Sequence, residues 1–214
     1  MRWGTSILIW SILAIACAVP LAAAAMSPLL AWRQPVYIAA GFAGIVGMAL
    51  LLVQPLLAGG VLPGLPPQRG RRVHRAVGWG LVAAVVIHVV GLWFTSPPDV
   101  IDALLFRSPT LFSVWGVIAM WAVFAAAALV AFRRRLRLHP RIWLRAHTTL
   151  VVVTVVGSVV HALLIEGTME TKSKVALCVL VLAATTKVVR DRKVWKTGLP
   201  PRPKTLGPDR RSGA

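Results

Sequence analysis

The sequence predicts an all-α protein, a polytopic membrane bundle of six helices, on three observations. Of 214 residues, 57% are hydrophobic and only 14% are charged, against about a quarter charged in soluble domains. Six apolar segments, about 4–26, 35–58, 73–94, 110–132, 146–165 and 174–190, are separated by basic, acidic or Gly/Pro-rich connectors. Two of the segments each carry a histidine pair fourteen residues apart, His74 with His88 and His147 with His161.

Taken in order, residues 1–34 read as a first transmembrane helix and its loop. Arg2 ahead and Ala22 to Ala25 behind resemble signal-peptide flanks. The apolar stretch, however, exceeds the roughly 7–15 residues of such a region, which favours a retained helix. The second segment carries Gly41, Gly44 and Gly47, a spacing that suits close helix packing and marks no site. The stretch from Gly59 to Gly70 reads as a loop, and Ser96-Pro97-Pro98 ends the third segment. Arg133 to Arg145 reads as a basic loop between the fourth and fifth. The sixth falls short of the roughly 20 residues a span needs, but Lys174 and Lys187 can snorkel from its ends. Residues 191–214 form a basic, Pro-rich tail expected to be cytoplasmic and disordered.

The net charge of +18 comes from 24 Lys and Arg against 6 Asp and Glu. Nucleic acid is excluded as a partner, because these charges sit at the ends of apolar runs and not on one soluble face with aromatics between them. Their distribution sets an orientation instead. With both termini in the cytoplasm, twenty basic residues lie inside. Only Arg33, Arg107, Lys172 and Lys174 lie outside, beside Asp99, Asp102, Glu166 and Glu170. The expected location is the plasma (inner) membrane, crossed several times. Cys17 and Cys178 lie in apolar runs without ligand spacing and read as small buried side chains.

Fourteen residues at about 100° each return a helical side chain to within roughly 40° of its starting face, and climb roughly 21 Å. The third and fifth segments run the same way in this orientation. His74 and His147 therefore share the cytoplasmic level, and His88 and His161 the outer one. Level pairs of this kind suit two b-type hemes, each iron held by one histidine from each helix. Between the ligands lie Gly78, Leu81 and Val85 on one helix and Val151, Thr154 and Ser158 on the other, with Gly157 adjacent. Gly78 and Ser158 stand where a macrocycle would press on the helix. The competing reading is a heme-free transport or proton-relay protein using the same histidines.

His139 precedes Pro140 in the basic loop and reads as a surface residue. Arg71, Arg72, Arg75, Arg141 and Arg145 have two readings: pairing with heme propionates, Arg75 and Arg145 being best placed, or topology and contact with anionic membrane lipid. Of nine tryptophans, Trp3, Trp32, Trp93, Trp143 and Trp195 lie near segment ends and read as an aromatic belt. No residue reads as a general acid, base or nucleophile, so catalysis would be redox only.

The runs Arg72-Val73-His74-Arg75-Ala76-Val77-Gly78 through His88, and Arg141-Ile142-Trp143-Leu144-Arg145-Ala146-His147 through His161, resemble the ferric reductase-like transmembrane domain family. That family takes in ferric reductases, the membrane part of NADPH oxidases and the heme subunit of the bacterial methionine-sulfoxide reductase system. The resemblance covers about residues 35–190. It implies six helices, two b hemes between the third and fifth, and transmembrane electron transfer as the heme-bearing part of a ferric or related reductase. Larger members continue into flavin and nicotinamide domains. No G-x-G-x-x-G loop occurs here, so the expected donor is a separate flavoprotein, a bound flavin or membrane quinol. A periplasmic or other external acceptor would receive the electrons. The basic loops would suit an acidic reductase or anionic lipid equally. Respiratory cytochrome b is similar in its histidine pairs, but usually has eight helices and quinol-site motifs not found here.

Overall fold

A computed structural model describes residues 3–192. Arg2 and the tail from residue 193, with Trp195, lie outside the described residues. These contain eight helices and no strand: α1 (Trp3–Ala25), α2 (Pro35–Gly59), α3 (Pro67–Thr95), α4 (Pro97–Leu104), α5 (Leu111–Ala131), α6 (Arg133–Leu136), α7 (Pro140–Leu164) and α8 (Thr171–Asp191), with a 3-10 turn at Pro28–Trp32. Five of them, α1, α2, α3, α5 and α7, are long and apolar enough to cross a membrane. The sixth long helix, α8, carries Lys172, Lys174, Lys187 and Arg190 and falls outside that group.

Local chemistry sets the boundaries. Proline opens α2, α3, α4 and α7, where its missing N–H costs nothing and its fixed φ suits the first turn. Gly60, at φ 67°, closes α2 in the left-handed region that favours glycine, its N–H turned back on the last carbonyls. Three departures from the sequence reading have local causes. The basic run 133–145 is mostly helix, forming α6 and the first turns of α7. The third helix begins at Pro67, before its apolar stretch. The acidic connector after Ser96 folds as the amphipathic α4. Arginine is a good helix former, and a Pro at N1 starts a helix whatever the hydropathy of its first turn.

Packing makes two antiparallel pairs, α2 with α3 and α5 with α7; α8 lies across α2 and α7, and α1 across α2 and α8. The core gathers where these meet, from Leu13, Met48, Leu51, Leu52, Val155, Val159, Leu177, Cys178 and Val181. Although α8 is the most polar long helix, Leu177 and Val181 are among the most buried side chains. Lipid tails are as apolar as leucine, so this burial stabilises by close packing and not by transfer from water. Outward-facing Trp79, Phe94, Trp121 and Val156 remain exposed, as side chains facing lipid would. Lys174 departs from the snorkelling expectation. It is buried, and its Nζ donates to the Ile165 carbonyl at 2.7 Å, closing the C-terminal end of α7.

Glu170 caps α8, its carboxylate accepting from the backbone N–H groups of Lys172 at 2.8 Å and Ser173 at 2.6 Å. The Ser173 N–H, then that of Lys172, hold this carboxyl below its ordinary range. A carboxyl depressed by folding adds stability above its unfolded value, and that stability is lost as pH falls through the folded one. Glu170→Gln is expected to melt below the parent at neutral pH, with the gap closing as acid protonates Glu170. Thermal melts in detergent across that range check this, and a gap that persists in acid would refute the capping role.

Candidate heme-binding site

The histidine-bearing helices α3 and α7 do not pack closely on each other; each packs on its own partner, α2 or α5. The four histidines stand at two levels along this divide. At the level far from the basic ends, His88 Nδ1 lies 2.7 Å from the Ala40 carbonyl of α2, and His161 Nδ1 lies 2.7 Å from the Phe112 carbonyl of α5. A carbonyl only accepts, so in both rings Nδ1 carries the proton and Nε2 keeps its lone pair. The two ring centroids are 6.4 Å apart and the planes are turned 84°.

Glycines make this approach fit. A Cβ on Gly44 would lie 3.1 Å from His88 Nδ1, and one on Gly116 only 2.6 Å from His161 Nδ1. Each glycine is one turn beyond the carbonyl its histidine uses, so the two helix pairs repeat one device. The histidine follows its carbonyl partner by 48 residues in the first pair and 49 in the second. Gly91 brings α3 against Ala40, where a Cβ would meet that residue's Cβ at 2.7 Å. Sequence reasoning missed Gly44 and Gly116 as site residues. The signal that could have found them is their matched offset from the histidines.

At the basic-end level, His74 Nδ1 lies 3.3 Å from the Gln54 carbonyl, and Gln54 Nε2 donates to the His74 carbonyl at 3.2 Å. Gly78 faces this Gln54 side chain, at 3.1 Å from a Cβ, so its smallness serves the packing of α3 on α2. Gly157 likewise serves packing against Trp115 and Ala119 of α5. The structure thus brings His88 and His161 together at the far level, and α3 and α7 run the same way. Trp143 is no mere belt residue: it stacks on His147 with centroids 5.2 Å apart and planes 6° from parallel.

The positive charges gather at this end. Arg75 is exposed beside His74, and Arg145 is half-buried beside His147. Among the described residues the one ion pair is Lys187 with Asp191 at 2.6 Å, so neither arginine is committed to a carboxylate of these residues. Arg192, counted in the sequence only toward topology, donates to the Ala58 carbonyl. His139 is exposed and caps α7, its Nδ1 accepting from the Arg141 N–H at 3.3 Å, as a surface residue should.

Among the described residues no group of three or more His, Cys, Asp or Glu converges. Two imidazoles per level therefore suit a metal whose remaining ligands come from elsewhere, as in a macrocycle supplying four nitrogens. Two imidazoles bound through Nε2 by bonds of roughly 2.0 Å would place their centroids about 6 Å apart. The far-level pair meets that spacing, with both Nδ1 atoms already engaged as they are behind most ligating histidines.

Among known protein families, the model described as ferric reductase like transmembrane component matches residues 40–158. The match takes in more than half of the chain, from the carbonyl partner of His88 to three residues short of His161. No curated protein and no solved structure matches the chain.

Proposed function

As the chain belongs to the ferric reductase-like transmembrane family, we propose that it conducts single electrons across a membrane through two b hemes. His74 and His147 ligate one, and His88 and His161 the other. The observation that carries this reading is the far-level pair: two Nε2 lone pairs left free by Nδ1 bonds, on rings 6.4 Å apart, across helices that do not pack together.

A bound heme supplies reversible one-electron chemistry; the chain supplies ligands, orientation and a dry setting. The carbonyls of Ala40, Phe112 and Gln54 hold three imidazoles in the ligating tautomer and strengthen them as donors. Arg75 and Arg145 pair with the carboxylates of the basic-end heme, whose charge they match. The basic end faces the cytoplasm of a plasma (inner) membrane protein, with both termini inside and α8 as the sixth span, since the positive-inside rule weighs twenty basic residues against four. A flavoprotein, a bound flavin or membrane quinol supplies electrons to this heme, and an acceptor outside the membrane takes them from the other. The protein acts as the heme-bearing part of a ferric or related reductase.

Purified protein is expected to show a Soret band, and a pyridine hemochrome assay to count two b hemes per chain. Protein expressed with ample heme that shows no Soret band would overturn the reading.

A further inference from the structure

Three of the four histidines are oriented by one device, a backbone carbonyl on the neighbouring helix of the same pair. His147 is the exception. Among the described residues its buried Nδ1 has no hydrogen-bond partner, and the same holds for Nε1 of Trp143 one turn before it. No carbonyl of the described residues bonds this ring. What touches the imidazole instead is the Trp143 indole, nearly parallel to it. Over the same indole lies the Arg133 guanidinium from α6, with Cζ 4.4 Å from the ring centroid.

We propose that Trp143 is the positioning residue of His147, holding the imidazole by stacking where its three counterparts are held by a carbonyl, with Arg133 fixing the indole and adding its charge. The proposal rests on the reading of His147 as a heme ligand. A planar ring at i−4 limits rotation of the imidazole about its side-chain bonds, as a hydrogen bond would. The guanidinium is attracted to the indole face and anchors it from a second helix. Two electronic consequences follow. Without an Nδ1 acceptor, His147 is the weakest donor of the four. A fixed cation near the ring also favours the reduced, less positive metal. Both raise the midpoint potential of the basic-end level relative to the same site with a carbonyl-held ring.

The test takes His88→Ala as its parent, so that only the basic-end heme is read. In spectroelectrochemical titrations of the purified full chain, Arg133→Gln is expected to lower the midpoint with the Soret band intact. Trp143→Leu should lower it and broaden the low-spin signature, and Trp143→Phe, which can still stack, should stay near the parent. Midpoints that coincide across all three overturn the tuning. A second arm needs no heme. In chain purified from heme-deficient cells, carbethoxylation of His147, followed by mass spectrometry, should quicken several-fold in Trp143→Leu, with His74 unchanged and Trp143→Phe restored. Equal rates overturn the positioning role. If no variant binds heme in the first arm, the heme reading fails while the second arm still decides the stacking.

Discussion

Replacing His88 with alanine is expected to leave one heme per chain where the parent has two, and His161→Ala should do the same. The argument turns on pairing. If His88 and His161 hold one iron between them, losing either ring empties that level, and losing both empties it no further. The His88→Ala/His161→Ala double variant should therefore still count one heme in a pyridine hemochrome assay. His74→Ala/His161→Ala, which takes one ligand from each level, should count none. Ligands of one metal act as a unit, so their losses do not add, whereas losses at separate sites do. The geometry supports the level assignment through the 6.4 Å approach of His88 to His161. Crossed pairing gives the opposite pattern, with the His88→Ala/His161→Ala variant bare and the His74→Ala/His161→Ala variant singly loaded. The four outcomes thus separate the pairings by heme count alone.

Much of this was legible in the sequence because it depends on local rules. A membrane helix declares itself by apolar length, a helix start by proline and a histidine level by residues per turn. These placed all six long helices to within a few residues, except where basic first turns extend α3 and α7. They also placed His88 beside His161. What stayed hidden depends on which helix lies next door. Gly41, Gly44 and Gly47 look alike in the sequence. In the fold, Gly41 has nothing within 4 Å of a Cβ, Gly47 has ordinary contacts with Leu81 and Ala84, and Gly44 alone lies under an imidazole. Trp143 looked like a belt residue because its i+4 partner mattered less, on paper, than its position near a helix end. Lys174 looked free to snorkel because the Ile165 carbonyl that holds it belongs to another helix. A 3.6-residue period reveals which side chains share a face, but not which backbone carbonyl waits opposite.

That distinction gives the second large effect, in a residue with no side chain. Gly116→Ala is expected to lose most of the far-level heme, Gly44→Ala to lose less, and Gly41→Ala to lose none. The added Cβ at position 116 would stand 2.6 Å from His161 Nδ1 and 2.8 Å from Cε1, closer than real Cβ atoms come. The obstacle is a rigid ring, not the end of a flexible chain. That ring is fixed on one side by its bond to the Phe112 carbonyl and faces His88 on the other. It can yield only by giving up the Phe112 bond or by swinging off the axis shared with His88. The first costs about 1 kcal/mol, or more once Nδ1 is left buried without an acceptor; the second removes a ligand. At position 44 the distances are 3.1 and 3.2 Å, which a few tenths of an ångström of movement can relieve. At position 41 the methyl group enters open space, and alanine in place of glycine should stabilise the helix by up to about 1 kcal/mol. Hemochrome counts on the three variants, each in a His74→Ala background so that only the far level is read, should fall in the order Gly41→Ala, Gly44→Ala, Gly116→Ala. A Gly116→Ala protein with full heme would mean that the imidazole does not sit where the Phe112 carbonyl holds it.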